Sequence, residues 1–359
     1  MEINNPKLLS KISIIIIFVF IIIQKIYFND KVIDFSLLIK NYNNYYNKTY
    51  SKYKKINNNY LKKNGILLFN EKNKNVNKEF SLEINAAICV IAKQENLYIR
   101  EFIDYYKDLG IKKIILYDNN DLEGENFNDI LNDEIIKGFI EIIDYRGKIS
   151  PQIKVYNDCY ENNKNKYDWI AFYDVDEYLY LENYTNINEF LSLPIFNNCS
   201  SILINWRYYG DNNNIYYEPK PLKTRFSVPF NFLKNRIYDK YFFSASKSII
   251  KGGLNISWAH FPHFLNDSFI CRPNGSKVMD PFSQPQYSQA YIKHYATKSI
   301  EEYIFKFFKG NVYTNKHFNI ESLIFWIKDY FFLFNKITTR KIKLIKTILK
   351  FNIYKYLKK

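Results

Sequence analysis

Glycine is scarce in this chain, at 10 of 359 residues against 33 tyrosines and 30 phenylalanines. No Gly-x-Gly-x-x-Gly follows the first strand-like run, and no Gly-Lys-Ser/Thr phosphate loop occurs anywhere. Dinucleotide redox chemistry and P-loop phosphoryl transfer therefore lose their usual support, and if phosphate is bound a metal ion has to do much of the work. Cysteine is equally sparse. Cys89, Cys159, Cys199 and Cys271 lie far apart with no Cys-x-x-Cys spacing, which argues against zinc and leaves no disulfide framework that the sequence alone can specify. A net charge of +15 raises the question of nucleic acid. The lysines are scattered among asparagines with no basic stripe or recognition motif, so no nucleic-acid partner is expected. What the chain has in plenty is apolar residues, 47% of the total, ample for a sizeable core.

Ile12–Ile23 is an unbroken apolar run apart from Ser13, extended by Leu8–Leu9 before it and Ile26–Phe28 after it. Spanning a bilayer takes roughly 20 apolar residues, and no small-x-small cleavage pattern follows. Residues 1–28 are accordingly read as a cytoplasmic tail and signal-anchor in place of a cleaved signal peptide, with the bulk of the protein in an ER- or Golgi-like lumen. Residues 29–80, rich in Asn, Lys and Tyr, read as a stem. Six Asn-x-Ser/Thr sequons begin at Asn47, Asn183, Asn198, Asn255, Asn266 and Asn274; they become glycosylation acceptors only in a secretory lumen.

From Ala86 the pattern changes. Ala86–Ala92 (AAICVIA) reads as a doubly buried strand. An amphipathic helix from Tyr98 to Leu109 follows, with Ile99, Phe102, Ile103 and Tyr106 on one face and Gly110 closing it. The strands Lys113–Tyr117 and Phe139–Ile143 flank a helix-like Phe127–Ile136, and a helix from Pro151 to Asn162 leads to the strand Trp169–Tyr173. Strands alternating with helices predict an α/β fold, Rossmann-like, with an open, mostly parallel sheet flanked by helices. Ligands in such sheets bind beyond the carboxyl ends of the strands. Glu95, Asp118 and Asp174 all stand at such ends. After Trp169–Tyr173 come Asp174, Asp176 and Glu177. Two residues apart on an extended chain, Asp174 and Asp176 are expected to point the same way, with Glu177 turned aside. Paired hard carboxylates suit Mg²⁺ or Mn²⁺ held together with water and phosphate oxygens; the plain alternative is a solvated acidic turn.

Five segments in order, CVIAKQENLYIREFIDYYKDLGIKKIILYDNND at 89–121, QIKVYNDCY at 152–160, DWIAFYDVDEYLYL at 168–181, NWRYYG at 205–210 and HYATKSIEEYIFKFFKG at 294–310, resemble glycosyltransferase family 92, once a domain of unknown function, and its family-2-like relatives of the GT-A fold. Gln94 stands where that family more often has Asn. The resemblance implies a GT-A glycosyltransferase domain over 86–310. It also implies that Asp174 and Asp176 hold Mn²⁺ or Mg²⁺ against a nucleotide diphosphate. Lys93, Glu95, Asp118 and Asn119 would line the nucleoside and ribose pocket, and Gln152 and Asp158 would support the metal-bearing loop. His294 is a candidate third ligand, and Lys298 a candidate phosphate partner. For the general base that an inverting transfer needs, Asp211, Glu177, His260 and His263 are candidates, and Trp206 is a candidate sugar platform.

Beyond this domain, residues 311–359 form a basic, aromatic extension expected to be helical. Lys341 onward has the pattern of a basic amphipathic helix that docks on the domain or on a membrane surface. The whole reads as a metal-dependent glycosyltransferase moving a sugar from a nucleotide-sugar donor, a UDP-sugar foremost, to a hydroxyl of a glycan, glycoprotein or glycolipid. A phospho- or nucleotidyltransferase using the same metal site, and a non-catalytic membrane-tethered glycan-binding protein, are the alternatives.

Overall fold

The computed structural model describes residues 84–148, 152–229, 245–256, 259, 269–280 and 283–309. The N-terminal apolar run, the stem, His260, His263 and the C-terminal extension lie outside the described residues. Among the described residues, no helix is long and apolar enough to cross a membrane.

Strand β1 (Ala86–Ala92) is the spine, with all seven residues buried. It pairs in parallel with β2 (Lys113–Asp118) on one side and β4 (Trp169–Phe172) on the other, and β2 pairs in parallel with β3 (Ile140–Asp144). Alternation along β1 sorts its side chains onto two faces. Ala86, Ile88, Val90 and Ala92 join one apolar cluster with Ile99, Phe102, Ile103 and Tyr106 of helix α1 (Ile99–Asp108). Ala87, Cys89 and Ile91 join the other, with Val155, Tyr156, Cys159 and Tyr160 of α3 (Gln152–Asn163). Helix α2 (Asn128–Ile136) connects β2 to β3. A helix on each face is what makes a strand of unbroken apolar character stable.

Past β4 the sheet departs from the parallel expectation. The sheet order is β3-β2-β1-β4-β7-β6-β9-β5, with β8 (Ile270–Cys271) beside β6 (Ser201–Tyr208). β7 (Ser246–Lys251) runs antiparallel to both β4 and β6, and β5 (Glu177–Leu181) antiparallel to β9 (Ala290–His294). The sheet is therefore mixed. At the end of β7, Gly252 approaches the backbone of the α3–β4 connection so closely that a Cβ there would lie 2.1 Å from the Tyr167 carbonyl oxygen. Helix α4 (Ile187–Leu191), the short α5 (Leu222–Arg225) and α6 (Ile300–Lys309) complete the described elements used below.

All four cysteines are paired, Cys89 with Cys159 and Cys199 with Cys271. The first bridge ties β1 to α3; the second links β8 to the loop that enters β6. Partners separated by 70 and 72 positions carry no spacing signature, which is why the sequence specified no framework.

Candidate active site at the carboxyl edge of the sheet

The chain between β4 and β5 is a tight turn and not an extended segment, because the Glu177 backbone N–H donates to the Asp174 carbonyl at 3.0 Å. The two-residue alternation expected for Asp174 and Asp176 therefore fails, and the carboxylates are served from different sides. Asp174 Oδ1 accepts from Tyr156 Oη at 2.9 Å and Gln152 Nε2 at 3.1 Å, both on α3. Its Oδ2 accepts from Lys247 Nζ on β7 at 2.9 Å. A third of the Asp174 side chain remains exposed, at 34%.

Asp176 is buried and meets the opposite group. Lys306 Nζ on α6 donates to its Oδ2 at 2.5 Å, and His294 Nε2 on β9 stands 3.6 Å from its Oδ1. Strand register explains the histidine's place: β5 and β9 pair Glu177 with His294, and β6 pairs Tyr208 with His294. The Trp206 ring packs over the imidazole with centroids 4.4 Å apart. Burial opposes ionisation of Asp176, yet Lys306 and His294 hold its carboxyl well below the usual carboxylate range. Burial pushes His294 down, against Asp176 beside it, which draws it up, and among the described residues its buried Nδ1 has no hydrogen-bond partner.

Glu177, a candidate base, does not reach an acceptor. It is fully buried, with Oε2 accepting from the Asp174 N–H at 2.9 Å and lying 3.4 Å from Lys247 Nζ. Burial raises its carboxyl well above the ordinary value. Asp211 follows β6, is 5% exposed, and closes an Asx turn by accepting from the Asn213 N–H at 2.9 Å.

At the first strand end, Glu95 is buried between Lys309 on α6, which it contacts directly, and Lys298, whose Nζ is 3.7 Å away. Lys298 also lies 3.8 Å above the Tyr98 ring, and burial lowers its ammonium's value. Lys93 instead pairs with Asp121 at 2.7 Å on the surface. At the second strand end, Asp118 Oδ1 accepts from the Asn120 N–H and Nδ2 in its own loop, and Asn119 Nδ2 donates to the carbonyls of Tyr145 and Lys148 in the loop after β3. Asp158, expected beneath the metal-bearing loop, sits half-buried on α3 where its charge acts on Tyr117. Gln152 alone of that pair touches Asp174.

Asp176 and His294 are the residues that could hold a hard divalent cation: a carboxylate and an imidazole face each other across 3.6 Å, a gap too long for a strong hydrogen bond. Among the described residues, no group of three His, Cys, Asp or Glu assembles as a metal site. Of the expected Asp174, Asp176 and His294, each carboxylate is paired with a lysine, Asp174 with Lys247 and Asp176 with Lys306, and His294 lies beside Asp176. Sequence reasoning missed Lys247, Lys306, Lys309 and Tyr156. Only the lysine pair left a trace, a three-residue spacing that puts both on one face of a helix.

A family model described as glycosyltransferase family 92 matches residues 84–323. A glycosyltransferase family 92 protein of Arabidopsis thaliana is 25% identical over 133 residues, 36% of this chain and 21% of that protein. One of Ricinus communis is 24% identical over 110 residues, 28% and 18% of the two chains. The matched stretch is thus about a fifth of the length of these curated relatives. Among solved structures, S. aureus TarS 1-349 is similar over 75% of this chain and 80% of that one, at 14% identity and a TM-score of 0.35.

Proposed function

The chain belongs to glycosyltransferase family 92, and from that membership we propose that it transfers a sugar from a nucleotide-sugar donor, a UDP-sugar foremost, to a hydroxyl of a glycan or glycoconjugate. The observation that carries the reading is the pairing of buried Asp176 with His294 at the carboxyl edge of the sheet, beside the partly open Asp174.

Asp176 and His294 would hold Mn²⁺ or Mg²⁺. Such an ion, when bound, neutralises the donor diphosphate and stabilises charge on the leaving group. Lys247 and Tyr156 fix the Asp174 carboxylate, so that its orientation is set before any ligand arrives. An inverting displacement needs a base for the acceptor hydroxyl. Among the described residues Asp211 is the candidate retained, since Glu177 is sealed against Lys247 and Asp211 follows the strand whose Tyr208 pairs with His294; His260 and His263 stay candidates outside them. The two disulfides support a catalytic domain in an oxidising lumen. The four sequon asparagines among the described residues, Asn183, Asn198, Asn255 and Asn274, are all exposed, as acceptors there must be.

The test is a screen of UDP-, GDP- and CMP-sugars for release of the free nucleotide diphosphate or monophosphate, with and without Mn²⁺, on the full chain and on Asp174→Asn and Asp176→Asn. Sugar release that needs the metal and fails in Asp176→Asn is expected. Full activity in both variants sinks the assignment, and release of sugar 1-phosphate from a UDP- or GDP-sugar, with the nucleoside monophosphate transferred, points to nucleotidyl transfer instead.

A further inference from the structure

Three lysines of one short segment, Lys298, Lys306 and Lys309, converge on the carboxyl edge of the sheet, where Glu95 and Asp176 are the carboxylates they meet. The side chains of Lys298 and Lys309 are 6% and 13% exposed, and that of Lys306 is 29% exposed. Burying ammonium groups is costly unless each is compensated. Glu95 and Asp176 are the carboxylates these three cations contact, with Asp174 acting on Lys306 and Glu101 and Glu302 on Lys298 from further off.

Hydrogen-bonding capacity is also in excess. An ammonium carries three donors. Lys306 Nζ has two acceptors, Asp176 Oδ2 and the Ala296 carbonyl at 3.2 Å. Lys309 Nζ donates to Glu95 Oε1, and Lys298 Nζ stands 3.7 Å from Glu95 Oε2, beyond hydrogen-bond range. Among the described residues, Glu95 Oε2 and Thr297 Oγ1 are buried with no hydrogen-bond partner, so polar groups with unused capacity gather at this one place.

Backbone conformation points to the same spot. Gln94 and Lys298, which flank Glu95 and carry its ammonium neighbour, both sit at φ 52°, the left-handed region unfavourable for side chains of their kind. The α6 N-terminus is not the source of this capacity. Ser299 and Glu302 cap it reciprocally, and the next two N–H groups donate to the carbonyls of Asn214 and Ile215. The unused donors are therefore those of the lysine side chains.

We propose that Lys298, Lys306 and Lys309 form the anion cradle for the diphosphate of the nucleotide donor, with Lys306 bridging Asp176 and a phosphate oxygen. The inference rests on the nucleotide-sugar reading and adds to it which side chains take the phosphates. Three converging ammonium groups with unused donors match two adjacent phosphates, and their attraction to a nucleoside alone is slight.

Binding of UDP, uridine and inorganic pyrophosphate to the full chain, by titration calorimetry without divalent metal and again with Mn²⁺, tests this. Lys306→Ala and Lys309→Ala should each weaken UDP and pyrophosphate at least tenfold and leave uridine within twofold; Lys306→Arg should retain most of the affinity. UDP affinity within twofold of wild type in both alanine variants overturns the cradle, even if UDP-sugar turnover survives and upholds the transfer reading. Pyrophosphate binding that is lost in the variants, without turnover of any nucleotide sugar, upholds the cradle and removes the transfer reading. Wild-type protein that binds neither UDP nor pyrophosphate overturns the cradle. A Lys306→Ala/Asp176→Asn double variant that regains metal-free UDP affinity also overturns it, since Lys306 would then serve only to compensate Asp176. Thermal melts of each variant separate loss of binding from loss of fold.

Discussion

Lys247 Nζ stands 2.9 Å from Asp174 Oδ2 with 1% of its side chain exposed, so the carboxylate that opens the Asp-Val-Asp-Glu turn is tethered from beneath by a sealed cation. The same ammonium lies 3.4 Å from the fully buried Glu177. Burial opposes its charge, yet these two acidic neighbours hold it well above the ordinary lysine range.

Removing that cation leaves Glu177 buried and unpaired, while Asp174 can turn toward water. Lys247→Met is therefore expected to lose about 3 kcal/mol of stability, the lower end for breaking a buried ion pair. Urea unfolding measures it. A Lys247→Met/Glu177→Gln double variant should regain at least half of the loss. A single variant as stable as wild type would show that the pair contributes nothing.

A second sealed pair joins the segment carrying the three lysines to the rest of the domain. Glu302 accepts from Arg225 at 2.8 Å, Tyr98 Oη at 2.7 Å and the Ser299 N–H at 3.0 Å, and the Arg225 and Glu302 side chains are 3% and 1% exposed. Glu302→Ala strands the guanidinium and is expected to lower stability by about 3–5 kcal/mol. Arg225→Met/Glu302→Leu, which removes both charges, should recover most of it. Calorimetric melting of the three proteins decides whether the penalty belongs to the lone charge or to lost packing.

The disulfides are the third test. Closing loops of 70 and 72 residues should stabilise the domain by about 4 kcal/mol each on the chain-entropy account. Cys89→Ala/Cys159→Ala and Cys199→Ala/Cys271→Ala should each lose that order of stability. Peptide mapping without reductant should recover the 89–159 and 199–271 links. Any other pairing contradicts the fold around β1 and β8.

What the sequence made legible followed from short-range periodicity. Seven consecutive apolar residues gave β1 its bounds, and the spacing of Ile99, Phe102, Ile103 and Tyr106 gave α1 its buried face. The Asp174 region shows where that reasoning ends. Alternation assumes an extended chain, and a single hydrogen bond from the Glu177 N–H to the Asp174 carbonyl turns the chain instead. Lys247 was illegible because its partner lies 73 positions away, and β7 joins β4 antiparallel through a topology that no local pattern encodes. His294 was visible as a candidate, but what places it at Asp176 is the register of β5 against β9.

The last test concerns pH and lies outside the proposed metal-binding pair. Burial pushes the Glu101 carboxyl up from 4.5 to about 7, against the Leu222 N–H, Arg225, Lys298 and Lys223, which all draw it down. Its oxygens accept from that N–H at 2.8 and 3.2 Å, a role that a glutamine oxygen can fill. With the folded value above the unfolded one, the folded chain binds the proton more tightly, so this group's contribution to stability falls as pH climbs between those two values. Below about pH 4.5 both states are protonated and the group is neutral in its effect; above 7 the full penalty of an ionised buried carboxylate applies. Glu101→Gln should therefore match wild type in stability near pH 5 and exceed it at pH 8. Urea midpoints at the two pH values give the difference directly. A wild-type advantage that does not shrink with rising pH would show that Glu101 is ionised at no penalty, held by Arg225 and Lys298 more strongly than burial opposes them.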